Sequence, residues 1–223
     1  MFIGHYAVGF ALKRAAPAVS LGWLFAAVQL PDLLWPVLLL LGVEQVRVDP
    51  GNTAFTPLDF VSYPYSHSLL LVCVWSAAFG LLYHVRHSRG AAGVVLAAAV
   101  ASHWVLDWIV HRPDLPVAPW SGARAGLSLW NSIPGTLAIE VPMYLIGVWL
   151  YARSTRPYRR AGRLGFVALA VFLALVYAAN LLGPPPPDSR TVAFVTMSLW
   201  LLPPWAAWCD AGRRVRADKL REQ

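Results

Sequence analysis

The sequence predicts an all-α, polytopic membrane helix bundle with six transmembrane helices and a short N-terminal re-entrant or interfacial helix. The first observation is composition, because 58% of the 223 residues are hydrophobic and only 13% are charged. The second is that the apolar residues come in blocks of about 20, the helical length that crosses a bilayer core. The third is that the basic residues lie between these blocks. One soluble core could not bury so many apolar residues, so a soluble domain, a disordered chain and a disulfide-stapled secreted domain are excluded.

Six of the apolar blocks are long enough to span a membrane, and they must be helices because backbone groups in lipid have no water to bond. In chain order the predicted spans are 20–43, 67–88, 91–111, 135–153, 164–183 and 191–209. A seventh apolar segment, 2–12, is too short to cross. We expect a single membrane domain, 1–223, in which 1–115 carries the candidate site. Three further spans in 135–209 and a basic tail at 210–223 complete it.

The basic residues predict the orientation, since cytoplasmic loops of membrane proteins are enriched in Lys and Arg. The chain has a net charge of +7 and 18 Lys and Arg residues. If residue 14 is cytoplasmic, 14 of them lie on the cytoplasmic side and 4 outside, which places the C-terminus in the cytoplasm. The composition suggests the inner membrane of a bacterium with a high-GC genome. Because the basic residues do not gather on one folded face, membrane lipids and not nucleic acid are the expected partners.

Loop lengths and small residues indicate where the functional part lies. The predicted outer loops 44–66 and 112–134 are long and rich in aromatic residues, which is more typical of functional loops than of simple connectors. The alanine-rich segment 91–102 has few bulky side chains, so neighbouring helices can approach it closely. We therefore expect the third span at the centre of the bundle.

The end of the third span carries candidate ligands on one face. His103, Asp107 and His111 are spaced at i, i+4 and i+8, which places them along one side of a helix. His103 and Asp107 are one turn apart and are suited to binding one metal ion. A hydrogen bond between them, which satisfies both groups without a metal, is the alternative.

Three residues on other segments are candidate partners of this pair. Asp32 and His103 each lie 12 residues from the start of their predicted spans, about 18 Å into the membrane at the helical rise. His67 reaches that plane only if the loop 60–66 dips into the bundle, and His5 lies about 12 Å deep if 2–12 enters from the cytoplasmic side. The alternatives are a helix-breaking cap at Asp32, an aromatic-belt position for His67 and a surface helix for His5.

This set of imidazoles and carboxylates, without thiolates, predicts a catalytic divalent metal, with zinc first and manganese or iron next. The predicted ligands are His5, Asp32, His67, His103 and Asp107. Asp107 or Glu140 is the candidate base, and Arg112 is a candidate for holding an anionic head group. For Glu140 a helix–helix hydrogen bond is the equal alternative, and for Arg112 an interfacial anchor.

Four short stretches carry a family resemblance. They are Met1–Gly9 (MFIGHYAVG), Leu30-Pro31-Asp32, Tyr65-Ser66-His67-Ser68 and Ser102-His103-x-x-x-Asp107. They resemble a bacterial inner-membrane family of metal-dependent hydrolases over about residues 1–115, and Leu34 replaces a carboxylate of the family's Pro-Asp-x-Asp pattern. The ligand order is also similar, more loosely, to that of zinc-dependent phospholipase C and P1-type nucleases. That similarity implies one metal on Asp32, His67, His103 and Asp107, with His5 reaching a second metal through Asp107, although the missing carboxylate weighs against a second metal.

The residues and the resemblance together predict a membrane-embedded metal-dependent hydrolase that acts on a phosphoester or ester of a lipid-like or other small-molecule substrate. Two other functions stay open. A transporter or permease-like protein would use the same buried His and Asp as an ion relay. A non-catalytic membrane scaffold would use them only to fix helix packing.

Overall fold

The computed structural model describes residues 1–88 and 90–216, and most of them are helical. The α-helices are α1 Ile3–Leu12, α2 Leu21–Val28, α3 Leu30–Leu40, α4 Pro64–His67, α5 Leu69–His87, α6 Gly90–Val110, α7 Ile133–Ser154, α8 Phe166–Leu182, α9 Ser189–Met197 and α10 Leu202–Ala211. Three antiparallel pairs of short strands join them: β1 Gln45–Val48 with β2 Leu58–Ser62, β3 Leu115–Pro116 with β4 Arg124–Ala125, and β5 Thr155–Pro157 with β6 Arg213–Val215.

Five helical segments are long and apolar enough to cross a membrane, which confirms the prediction of a multi-pass helical membrane protein. They are Leu69–His87, Ala91–Val110, Ile133–Ser154, Ala161–Leu182 and Ser189–Ala211. They coincide with the second to sixth predicted spans, because each of those blocks is a long apolar run between turn-forming residues. In the fourth of them a short π-helical turn, Ala161–Gly165, leads into α8.

The first predicted span, 20–43, is not one continuous helix, and its crossing of the membrane as a sixth, broken span stays a prediction. The chain forms α2 and α3 instead, and the two axes meet at 57°. Gln29 is the joint, and Pro31 follows it in the first turn of α3. A proline lacks the backbone N–H that a continuous helix would need there, so the helix ends and restarts. The bend turns the first residues of α3 toward α6, which bears directly on the position of Asp32.

Helix α1 lies inside the bundle and not on its surface, which agrees with the re-entrant alternative and not with the interfacial one. Its buried residues are Ile3, Gly4, His5, Tyr6, Ala7, Gly9 and Phe10. It packs against α2, α6 and α7. Gly147 of α7 allows the closest approach, since a Cβ there would lie 2.4 Å from the carbonyl oxygen of Ala7. A helix that is apolar on all sides is expected to be buried, and α1 fits that pattern.

Helix α6 has the largest buried share of the five long segments, 44% against 22–28% for the others. Small residues let α5 and α6 touch, because a Cβ on Gly93 would lie 2.7 Å from the carbonyl oxygen of Gly80. The alanine-rich helix therefore has the central place that its small side chains predict.

The loops collect at two ends of the bundle. At the long-loop end, defined by residues 44–66 and 112–134, backbone bonds join the two loops, as from Phe55 N to the Trp130 carbonyl at 3.0 Å. At the basic end, defined by Lys13, residues 153–163 and residues 210–216, β5 pairs with β6. The predicted basic tail 210–223 is thus ordered at its start as the end of α10 and as β6, and its residues from 217 onward lie outside the described part.

Candidate metal centre

His103 and Asp107 form the pair that their spacing on α6 predicts. The Nε2 atom of His103 lies 3.1 Å from Oδ2 of Asp107, and both residues are buried. The other ring nitrogen of His103, Nδ1, lies 2.7 Å from the Val28 carbonyl oxygen at the end of α2. A carbonyl only accepts hydrogen bonds, so Nδ1 carries the proton and Nε2 turns a lone pair toward the carboxylate in the neutral ring.

Asp32 and His67 join this pair from two other segments. Oδ1 of Asp32 lies 3.3 Å from His67 Nε2 and 3.8 Å from His103 Nε2. His67 Nε2 is also 3.8 Å from Asp107 Oδ2. His67 gets there because the chain after β2 enters the bundle through the short helix α4, which Pro64 starts. The loop 60–66 thus dips into the bundle, which is the condition under which His67 reaches the plane of Asp32 and His103.

Four atoms meet here, namely Nε2 of two histidines and one oxygen of each carboxylate, and their spacing suits the coordination of one metal ion. We call Asp32, His67, His103 and Asp107 the ligand cluster. Its four measured ligand-to-ligand distances run from 3.1 to 3.8 Å. Tetrahedral zinc ligands, at about 2.0–2.1 Å from the ion, lie about 3.3 Å from one another. A proton can be shared by only two of these acceptors, whereas one metal ion satisfies all four. Asp32, His67 and His103 form one of the groups that could hold an ion.

His5 lies on the opposite side of Asp107. Its Nε2 atom is 3.1 Å from Oδ1 of Asp107, while Oδ2 faces the ligand cluster. The His5 and His103 rings are stacked with their centroids 3.8 Å apart. The amino group of Met1 lies 2.5 Å from the same Oδ1 atom. His5, His103 and Asp107 make a second buried group that could hold an ion. His103 and Asp107 are therefore common to this group and to the ligand cluster.

Glu140 on α7 is buried and lies at the first turn of α1. Its Oε2 atom accepts from the backbone N–H of Gly4 at 3.3 Å. A carboxylate at this position satisfies a helix N-terminal donor and suits the positive end of the helix dipole. The contact corresponds to the helix–helix hydrogen bond considered above, and it holds α1, and with it His5, against α7.

His111 and Arg112 belong to a separate network at the long-loop end. His111 follows the last residue of α6, and its Nδ1 atom lies 3.0 Å from Asp114 and 3.2 Å from the Tyr63 hydroxyl. Burial, followed by the charge of Asp114, holds the pKa of Tyr63 well above its usual range, so its hydroxyl remains a donor. Arg112 pairs with Asp59 at 3.1 Å and Asp114 at 3.5 Å. In this structure Arg112 is thus balanced by two carboxylates.

Two buried residues beside the centre were not predicted as site residues from the sequence. Glu44 is buried beyond the end of α3, and its carboxylate accepts from the Ser66 hydroxyl at 2.6 Å. Ser66 in turn lies 2.7 Å from Nδ1 of His67. Ser66 precedes a predicted ligand, which is the only hint. Glu44 is 22 residues away in a loop, and no spacing rule connects the two.

The comparisons leave these contacts as the basis for function. No protein-family model, no curated protein and no solved structure matches the chain. Function is therefore inferred from the geometry and chemistry of the ligand cluster and its neighbours.

Proposed function

We propose that the protein is an integral-membrane, metal-dependent hydrolase with zinc as its metal and manganese or iron as the alternatives. The observation that carries the proposal is the convergence of two imidazole nitrogens and two carboxylate oxygens from three separate segments, at 3.1–3.8 Å. We place it in the bacterial inner membrane with the basic end in the cytoplasm, on the uneven division of Lys and Arg between the two ends.

The ligand types favour a catalytic over a structural metal site. Structural zinc sites are usually closed by thiolates, whereas catalytic sites use His and carboxylate ligands and keep one side open. Neither cysteine is among the grouped ligands: Cys73 is an exposed residue of α5, and Cys209 lies near the basic end. The Asp32 side chain is 23% exposed, against 6% or less for the other three ligands. Substrate and water therefore have an approach from the Asp32 side.

The residues around the cluster hold its parts in place. The Val28 carbonyl fixes the ring of His103, and His5 holds one oxygen of Asp107 while the other faces the cluster. A divalent ion bound there supplies Lewis-acid activation of water and of the scissile bond. Both oxygens of Asp107 contact imidazoles, so it serves as a ligand. Glu140 keeps Oε1 without a hydrogen-bond partner among the described residues, so we assign the base to Glu140.

The surroundings support an ester or phosphoester of a lipid-like molecule as the substrate class. The side chains beside His67 are aromatic. The centroid of the Trp35 ring lies 6.5 Å from that of the His67 ring and 5.5 Å from that of the Phe60 ring. Apolar walls with a few converging polar groups are typical of small-molecule sites. Aromatic surroundings of this kind suit an acyl or other apolar group beside a polar reacting centre.

The test is metal content followed by activity. We expect protein purified without chelator to contain about one zinc or manganese per chain by elemental analysis, because the cluster provides one set of four ligands. Chelation should abolish hydrolysis of fluorogenic lipid esters or phosphoesters, and added metal should restore it. Wild-type protein that carries no metal above background would contradict the metal assignment. A Glu140→Gln variant with full activity would contradict the assignment of the base.

A further inference from the structure

Glu44 and Ser66 form a chain of hydrogen bonds that ends on a ligand of the proposed metal. Oε1 of Glu44 accepts from the backbone N–H groups of Tyr65 and Ser66, at 2.8 and 2.9 Å. Oε2 accepts from the Ser66 hydroxyl at 2.6 Å, and the Ser66 oxygen lies 2.7 Å from Nδ1 of His67. All three residues are at most 5% exposed, so water does not compete for these contacts.

The direction of each bond follows from the chemistry of the groups. A carboxylate that takes three donors acts only as an acceptor, so the single hydroxyl proton of Ser66 is committed to Glu44. The Ser66 oxygen can then only accept from His67, and Nδ1 must carry a proton. The Nε2 atom of His67 is left with its lone pair, and it is the atom that faces Asp32 and Asp107.

We propose that Glu44 and Ser66 are positioning residues of the centre, which fix the Nδ1–H tautomer of His67 so that Nε2 binds the metal. This inference rests on the proposed metal site and identifies the residues that control the tautomer of one ligand, His67. Groups that accept a hydrogen bond from the other ring nitrogen of a metal-binding imidazole orient the ring and raise its basicity, and they typically contribute 10–100-fold in affinity. Glu44 has an additional structural contact, because its two backbone bonds cap the short helix α4.

The chain contains a matched control for Ser66. Ser102 also directly precedes a ligand histidine, His103, but its hydroxyl bonds the Ala99 carbonyl of its own helix at 2.7 Å. The tautomer of His103 is fixed by Val28 instead. Ser102→Ala therefore removes a hydroxyl that directly precedes a ligand histidine but makes no hydrogen bond to an imidazole.

The experiment measures Co²⁺ binding to metal-free, full-length protein through the visible absorption of the ion. We expect Ser66→Ala to weaken binding by about 10–100-fold, and Ser102→Ala to bind like wild type. In Glu44→Gln the amide oxygen can keep the two backbone bonds. Its NH₂ group then faces the Ser66 oxygen, which frees the hydroxyl proton to donate to Nδ1 and favours the wrong tautomer. We expect Glu44→Gln to weaken binding as well.

A second measurement separates tautomer control from folding. In the Co²⁺ form of wild type, proton NMR should show two strongly shifted, exchangeable ring N–H signals, one each from His67 and His103. Ser66→Ala should lose one of them to fast exchange at saturating Co²⁺, and Ser102→Ala should keep both. Metal-free Ser66→Ala should stay folded under the conditions of the Co²⁺ measurement, although the loss of two buried hydrogen bonds lowers its unfolding temperature.

The outcomes distinguish this inference from the proposed function. If wild type binds Co²⁺ and Ser66→Ala binds it equally well with both signals intact, the positioning role is overturned and the metal site stands. If Glu44→Gln alone loses binding and its metal-free form also melts early, Glu44 is only a cap of α4, and the inference is likewise overturned. If wild type binds no Co²⁺, the metal site and the positioning role both fall.

Discussion

Two buried clusters of acidic and basic side chains lie near opposite ends of α1, and their hydrogen bonds differ in kind. At the basic end, Lys13 donates to Asp210 and to the Val19 carbonyl, each at 2.7 Å. Asp210 also accepts from the Tyr151 hydroxyl at 2.7 Å and from the backbone N–H of Leu21 at 3.1 Å. Each of these four contacts pairs a donor with an acceptor. We call Lys13, Tyr151 and Asp210 the locking cluster.

The ligand cluster lacks this alternation of donors and acceptors. Lone pairs of His67 and His103 face the carboxylates of Asp32 and Asp107, so acceptors meet acceptors. Leaving buried polar groups unmatched costs more than a net hydrogen bond contributes. In the locking cluster each contact pairs a donor with an acceptor, and the cluster joins α1, α2, α7 and α10. The ligand cluster could hold a cation, and under the proposed function this difference separates a structural ion pair from a functional site.

The largest expected effect is loss of the metal. We expect His103→Ala, Asp107→Ala and Asp32→Ala each to abolish metal binding, because each removes one of four ligands of a single ion. A second substitution added to the first should change little, since such ligands act as a unit. Elemental analysis of the purified variants measures this.

The controls for that series are the two histidines near the end of α5. His84 and His87 are exposed, and His87 lies against Tyr83 rather than near the ligand cluster. His84→Ala and His87→Ala should keep the metal content of wild type. Full metal in folded His103→Ala or Asp107→Ala protein would erase the difference between the two clusters, and the pair would then be a buried hydrogen bond.

The locking cluster should give the opposite result, a loss of stability without a loss of metal. Lys13→Met leaves Asp210 as a buried, unpaired charge, which typically costs about 3–5 kcal/mol. Unfolding of the detergent-solubilised protein measures the cost. The double variant Lys13→Met with Asp210→Asn should recover most of it, because no charge is then left unpaired. Metal loss in folded Lys13→Met protein would show that the two clusters are coupled through α1.

His5 should give an intermediate result, since it touches the ligand cluster only through Oδ1 of Asp107. We expect His5→Ala to keep most of the metal and to lower activity or metal affinity by about 10–100-fold, as for other groups that orient a ligand. Metal content and hydrolysis rate are measured on the same preparation. Complete loss of metal would make His5 a ligand of the same ion.

Local spacing predicted the parts of the centre that lie on one helix, and depth counting indicated that Asp32 also contributes. The i, i+4 spacing of His103 and Asp107 is confirmed as a contact at 3.1 Å. Asp32 lies 3.8 Å from His103, although the straight span assumed for the count is bent by 57°. The count succeeded because the bend lies only three residues before Asp32.

Contacts between distant loops had no such rule. Lys13 and Asp210 are 197 residues apart, and Lys13 has the sequence context of an ordinary cytoplasmic loop cation. Glu44 meets Ser66 only because α4 folds into the bundle. The burial of α1 did have a signal, because 2–12 has apolar residues on every face, which a surface helix does not show.

The smallest expected effect is a packing change on α6, far along the helix from its ligands. A side chain on Gly93 would collide with the backbone of Gly80, so Gly93→Leu should reduce the free energy of unfolding by about 1–3 kcal/mol. Ala98 lies on the same helix but is exposed, so Ala98→Leu is the matched control and should melt like wild type. Both variants should keep their metal, because Gly93 lies ten residues, about 15 Å of helix, from His103. Gly93→Leu should then resemble Lys13→Met, in that it lowers stability without changing the metal content. Equal melting of the two variants would mean that α5 and α6 are not in close contact at Gly80, and reduced metal in folded Gly93→Leu would mean that the packing of α6 also sets the position of His103.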